Sequence, residues 1–175
     1  EPRDVLITKG KNLGLSGLKP KAVIGTTSLR RKAQILKFRR DLRVEDLRGN
    51  LDTRINKLNS GLYDAIVVAA AGLKRLKLKS LKTKIIPESV MLPSAGQGAL
   101  GIEIRAGDKE IKKLVSKIDD WESRIRVECE RYFLRYTGAG CRMPVAAFAE
   151  IKAGKIRVEG MIISLRGEKT VRLSL

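Results

Sequence analysis

Apolar residues recur along this chain with two different periods, and the changes between them mark its elements. Residues 22–24 form a short apolar run, followed by Gly25-Thr-Thr-Ser28 and by a stretch in which Leu29, Ala33 and Leu36 fall at i, i+4 and i+7. That spacing predicts a strand leading into a helix, with Ser28 capping the free N–H groups of its first turn. The arrangement then repeats. A short strand is expected over 42–47, and Asn50 caps a second helix whose apolar positions are Leu51, Ile55 and Leu58 and whose stop is Gly61. Residues 64–71 are nearly all apolar, as in a parallel strand covered on both faces. A βαβαβ rhythm of this kind predicts an α/β domain.

The pattern changes near Pro93. A strand is expected over 99–104, helices over 109–118 and 122–135, and a glycine-rich loop over 137–141. Three alternating runs follow, 144–151, 155–163 and 169–175, joined at Ala153-Gly154 and Arg166-Gly167. They predict an antiparallel meander in a small α+β domain. The chain opens at Glu1 without a methionine and stops at Leu175 inside an alternating run, so a fragment of a longer protein is expected.

Charge narrows the function. With 37 basic against 19 acidic residues the formal charge is +18, far from the usual balance. Part of the excess is solvated lysine, and the remainder points to an anionic partner: nucleic acid, an anionic membrane or a small polyanion. Aromatic residues make up only 4%, which leaves little for base stacking, and no nucleic-acid motif is present. Cys129 and Cys141 form no metal motif, and histidine is absent. Two cysteines are too few for a disulfide scaffold, which favours a reducing cytoplasm. No run of about 18 apolar residues and no signal peptide occurs, so a soluble intracellular protein is expected.

Several residues break local rules. Arg30 and Arg31 sit in the first turn of the expected helix, which already carries positive partial charge. They make sense if an anion docks at the helix start; if both point into solvent, the penalty is only about a few tenths of a kcal/mol. Arg48-Gly49-Asn50 repeats the theme before the second helix, with Arg54 about one turn in. Both helix starts would share the C-terminal edge of the sheet, where ligands of open α/β sheets bind. Four arginines on one rim suit a ligand with several carboxylates or phosphates, because the guanidinium fork is bidentate.

Gly96-Gln-Gly-Ala-Leu-Gly101 spells G-x-G-x-x-G, but a nucleotide loop needs a helix after it, and a β-type run follows here. A hinge or tight turn is expected instead. Cys141, beside Arg142, reads either as a nucleophilic thiol of lowered pKa or as a small buried hydrophobe. Cys129, on a helix face, reads as core packing.

Together, Ile24-Gly-Thr-Thr-Ser-Leu-Arg-Arg31, Leu47-Arg-Gly-Asn50 with Thr53-Arg54, Tyr63-Asp-Ala-Ile66 with Ala70-Ala-Gly-Leu-Lys-Arg75, Leu92-Pro-Ser-Ala-Gly-Gln-Gly-Ala-Leu-Gly-Ile-Glu103 and Gly138-Ala-Gly-Cys-Arg-Met-Pro144 resemble the porphobilinogen deaminase (hydroxymethylbilane synthase) family. The likeness covers most of the chain in the family's order and spacing.

The resemblance implies a covalent dipyrromethane cofactor, tethered through a thioether to Cys141. The family loop usually reads Gly-Gly-Cys, and Gly-Ala-Gly-Cys keeps it small. By the same resemblance, Arg30, Arg31, Arg48, Arg54 and Arg75 bind the acetate and propionate groups of porphobilinogen and of the growing polypyrrole. Thr26, Ser28, Gly49 and Asn50 add contacts, and Gln97 lies in a hinge. The implied reaction deaminates porphobilinogen to an azafulvene, couples four units head to tail and releases hydroxymethylbilane with water. The family's proton-transferring aspartate would lie upstream of Glu1, so no catalytic acid is expected here, and Asp46, Asp52 and Asp64 read as structural.

The implied fold class is a periplasmic-binding-protein-like α/β domain followed by a truncated α+β domain with an antiparallel three-stranded sheet. Residues 1–94 would be most of domain 2, 95–119 a returning segment of domain 1, and 120–175 the cysteine-bearing domain 3. The whole is expected to be a monomeric, cytoplasmic transferase of tetrapyrrole (heme) synthesis without a metal, nucleic-acid or membrane partner, and the fragment alone inactive. The alternative is a non-catalytic polyanion- or nucleic-acid-binding module.

Overall fold

The computed structural model describes residues 1–76, 81–138 and 143–175. It begins with a strand, β1 (Asp4–Thr8), every residue of which is buried. Then come β2 (Val23–Gly25), α1 (Leu29–Phe38), β3 (Arg43–Glu45), α2 (Leu51–Asn59), β4 (Ala65–Ala69), α3 (Ala70–Arg75) and β5 (Lys82–Ile85). They form one sheet in the order β3-β2-β4-β1-β5. The expected parallel unit is present, since β2 runs parallel to both β3 and β4. It is extended by β1, antiparallel to β4 and to β5, so the sheet is mixed.

Period-two alternation divides β1 between two cores. Leu6 faces Ile24, Ile35, Val67 and Met91 on the α1 side. Val5 and Ile7 face Leu47, Ile55, Leu58 and Leu73 on the side of α2 and α3. Each such fully buried aliphatic side chain contributes about 1.5–3 kcal/mol. Both expected caps form: the Ser28 side chain accepts from the Arg31 N–H, and that of Asn50 from the Thr53 N–H.

After a turn over residues 94–98 the chain continues through α4 (Lys109–Val115), a 3-10 turn (Ser116–Ile118) and α5 (Trp121–Tyr136). Strands β6 (Val145–Lys152), β7 (Lys155–Ile163) and β8 (Thr170–Ser174) make the expected antiparallel meander. Gly160 of β7 lets α5 approach closely, because a Cβ there would meet the Phe133 ring. This second sheet packs on α1 through Ala33, Leu92, Ala146, Met161 and Ile163. Arg172 of β8 fastens it to the first unit, donating from Nη1 to the Ser89 carbonyl and from Nη2 to the Glu88 carbonyl, both at 2.9 Å.

Three expected elements differ. Residues 99–104 form no strand: Leu100 and Ile102 are 76% and 57% exposed, and the run finds no ladder partner among the described residues. An alternating run needs a neighbouring strand to satisfy its backbone. The strand expected over 64–71 ends at Ala69 and turns directly into α3, because a run of alanines contains no breaker to mark the change. The helix expected over 109–118 gives way to the 3-10 turn after Val115. No helix among the described residues is long and apolar enough to cross a membrane.

Candidate functional site

Three parallel strands in register, β2, β3 and β4, send their chains into α1, α2 and α3 at one edge of the sheet. At the first of these helix starts Thr26 is buried, its Oγ1 accepting from the Ser28 N–H at 3.3 Å. Arg30 and Arg31 follow, only 5% and 9% exposed. Neither points to solvent. Both turn onto Asp4 of β1, whose carboxylate is fully buried.

The geometry is tight. Arg30 Nη1 lies 2.7 Å from Asp4 Oδ2, while Arg31 Nη2 and Nε lie 2.8 and 2.9 Å from Oδ1. Arg30 also donates to the Leu92 carbonyl at 2.7 Å, and Arg31 to the Val67 carbonyl at 3.2 Å. Gln97 closes the cluster. Its Nε2 donates to Asp4 Oδ1 at 3.0 Å, and its Oε1 accepts from Arg30 Nη2 at 3.2 Å and Arg31 Nη2 at 3.4 Å. The buried group therefore holds two guanidinium charges against one carboxylate. Burial pushes the Arg31 guanidinium below its ordinary range; Asp4 opposes that shift, while Arg30 and then Arg54 add to it.

The turn carrying Gln97 is built by Gly96 and Gly98, at φ +72° and +87°. At Gly98 a side chain would also run into the Glu1 carbonyl. The Gly98 carbonyl accepts from Arg75 Nη2 at 3.1 Å, which joins Arg75 to the cluster. The G-x-G-x-x-G run is thus a turn, with neither helix nor strand after it.

At the second helix start, Asn50 Oδ1 accepts from the Thr53 N–H and hydroxyl at 2.9 and 2.8 Å. Arg54 Nε donates to the Gly49 carbonyl at 2.8 Å. Arg48 points outward with its side chain 82% exposed, 4.0 Å from Asp46. The structure therefore brings together Arg30, Arg31, Gln97 and Arg75, sets Arg54 within electrostatic reach of Arg31, and leaves Arg48 on the rim. Cys141 lies outside the described residues. Cys129 is half-buried rather than in the core. Among the described residues no group of His, Cys, Asp or Glu is placed to hold a metal.

Two residues of the site escaped sequence reasoning. Asp4 opens a run of buried strand residues, and a lone carboxylate on an otherwise apolar strand is its only signal. Glu130, 6% exposed, lies on the face of α5 that also carries Val127 and Phe133, where period 3.6 calls for an apolar residue. An open groove of about 1840 Å³ beside the 99–118 segment is lined by apolar Leu100, Ile102 and Tyr136 together with basic Arg75, Lys112, Arg124, Arg131 and Arg135. It meets the charge cluster at Arg75 and at the glycines on either side of Gln97.

Residues 1–113 match the family model described as "Porphobilinogen deaminase, dipyromethane cofactor binding domain", and residues 124–174 that described as "Porphobilinogen deaminase, C-terminal domain". A porphobilinogen deaminase of Roseiflexus castenholzii is 46% identical over 167 residues, 95% of this chain and 55% of the relative. One of Thermus thermophilus is 46% identical over 176 residues, 100% of this chain and 58% of the relative. One of Geobacillus kaustophilus is 44% identical over 170 residues, 97% and 55%. The chain spans about half the length of these curated relatives. Nothing in the matches supports a nucleic-acid-binding module.

Proposed function

This chain belongs to the porphobilinogen deaminase family, and on that premise we propose that the full protein is a hydroxymethylbilane synthase, condensing four porphobilinogens on a dipyrromethane tethered to Cys141. One observation carries the reading: a buried cluster with two guanidinium groups and a single internal carboxylate, Asp4. That excess of one positive charge, out of water, is relieved by a bound carboxylate. The residues present therefore fit the cofactor.

Arg30 and Arg31 are held in place before any ligand arrives, so little side-chain entropy is lost on binding. Arg31, disfavoured by burial and by its like-charged neighbours Arg30 and Arg54, is relieved by a new negative neighbour. Arg54 and Arg75 extend the positive field along the sheet edge, and Arg48 on the rim meets the incoming carboxylates. The helix starts at Thr26, Ser28, Gly49 and Asn50 supply N–H groups and positive dipole ends. When bound, the dipyrromethane supplies the nucleophilic terminal pyrrole carbon to which each new unit is joined. Gln97 sits where two stretches of chain cross and serves as the hinge.

Domain assignments follow the same reading: 1–94 as most of a periplasmic-binding-protein-like domain 2, 95–119 as a return through domain 1, and 120–175 as domain 3. The protein is read as a cytoplasmic monomer without nucleic-acid or membrane partners. The test is consumption of porphobilinogen by the full-length protein, with mass spectrometry for the adduct and Ehrlich's reagent for the dipyrromethane. Cys141→Ser should remove both signals. An adduct that survives this substitution overturns the site assignment.

A further inference from the structure

Glu130 has no part in the chemistry proposed above, yet both of its carboxylate oxygens are engaged. From α5, Oε2 accepts from the Gly96 N–H at 2.6 Å, and Oε1 accepts from the Ala149 N–H of β6 at 2.9 Å. Among the described residues it forms no ion pair, although Arg126, one turn earlier on α5, exerts a favourable field on it. Burial raises its pKa, against the pull of the Gly96 and Ala149 hydrogen bonds and of Arg126. A carboxylate kept in so dry a place without a bonded cation costs stability that an apolar residue would not. The compensation lies in what it connects.

The Gly96 N–H belongs to the turn that presents Gln97 to Asp4, Arg30 and Arg31. Arg75 grips the same turn from the other side, at the Gly98 carbonyl. Helix α5 and strand β6 are the two elements that flank the segment bearing Cys141. We infer that Glu130 is a positioning residue: it clamps α5 and β6 together and ties both to the Gln97 turn, so that the turn keeps Gln97 seated against Asp4 and the guanidinium pair. The inference rests on the function proposed above. It concerns how the site is held, and names no new ligand.

Glu130→Gln isolates this role, since a glutamine of the same shape has one acceptor oxygen and must turn an N–H toward one of the two backbone donors. In the full-length protein this variant should raise KM for porphobilinogen about tenfold with a smaller change in kcat, the fold-change expected for losing about one net hydrogen bond where the guanidinium pair binds the substrate carboxylates. Gln97→Ala should do the same. Because both act through one turn, the double variant should be no worse than the worse single one. Amide exchange should speed up at Gly96 or Ala149, while β1 and β4 keep their protection. An unchanged KM, effects that multiply in the double variant, or wild-type protection at both amides each overturn the inference. Glu130→Asp, with both oxygens on a shorter arm, carries the same test if Glu130→Gln does not fold. If the wild type leaves porphobilinogen untouched, the functional reading fails, and the exchange measurement still decides whether Glu130 holds the turn.

Discussion

Replacing Asp4 with asparagine tests the centre of the site without changing its shape. Four donors converge on this carboxylate: Arg30 Nη1 at 2.7 Å, Arg31 Nη2 and Nε at 2.8 and 2.9 Å, and Gln97 Nε2 at 3.0 Å. Their gross energies do not simply add, because asparagine keeps one oxygen and both arginines keep carbonyl partners at Leu92 and Val67. The dominant loss is the charge, since removing one member of a buried ion pair costs about 3–5 kcal/mol. For a chain of this size each kcal/mol moves Tm by about 2–4 °C, so Asp4→Asn should melt about 6–20 °C lower. Circular dichroism of thermal unfolding measures this. Asp46→Asn is the control, because its exposed partner Arg48 is 4.0 Å away and such pairs contribute about 0–1 kcal/mol. If Asp4→Asn and the control lose the same stability, Asp4 is not what holds the arginine pair.

The same variant checks the charge count. Asp4→Asn leaves the two guanidinium groups with no internal counter-charge, doubling the excess that a bound anion would relieve. A ligand at about a hundred times its Kd raises stability by about 2.7 kcal/mol. At low ionic strength, porphobilinogen should therefore raise the Tm of Asp4→Asn more than that of the wild type at equal concentration. Equal shifts would show that the carboxylates of the ligand do not sense this cluster.

Three further outcomes follow from other parts of the fold. Gly160→Val places a side chain where the Phe133 ring now lies and should lower the denaturant midpoint by an amount equivalent to about 1–3 kcal/mol; an unchanged midpoint contradicts the close approach of α5 to β7. The Asp64 carboxyl is held below its usual value of 3.8 by Lys19 and then by the Val23 N–H. A depressed folded pKa contributes stability above the unfolded value and loses it as the pH falls through the folded one. The stability gap between wild type and Asp64→Asn should accordingly be open at pH 7, start to close near pH 3.8 and vanish only as the pH falls through the depressed folded value, and a gap independent of pH counts against this. Arg48→Ala should leave stability within about 0.5 kcal/mol and weaken porphobilinogen binding in a titration, whereas unaltered binding removes Arg48 from the site.

Local rules carried the first unit well between residues 22 and 69. Caps at Ser28 and Asn50, two helical faces and an apolar parallel strand each left a signal within about ten residues. The same rules passed over β1, because five consecutive buried residues have no visible period until the sheet that covers both faces is known. They also assigned a strand to residues 99–104 from their β-type alternation alone. Pairing is a tertiary property, and Leu100 and Ile102 stand exposed without it.

The site shows the same division more sharply. Two arginines in the first turn of a helix are a local conflict, readable as a call for negative charge. What no local rule contains is the source of that charge, Asp4, 26 residues before Arg30 and on an antiparallel strand added from the other side of β4. Since one carboxylate cannot neutralise two guanidinium groups, the internal anion explains how the arginines are tolerated in the core without exhausting their capacity for a ligand. A second internal acid at this position would have made the fold more stable and the site silent. On the function proposed above, the cluster is an incomplete ion network, whose missing member is a carboxylate of the bound cofactor or substrate.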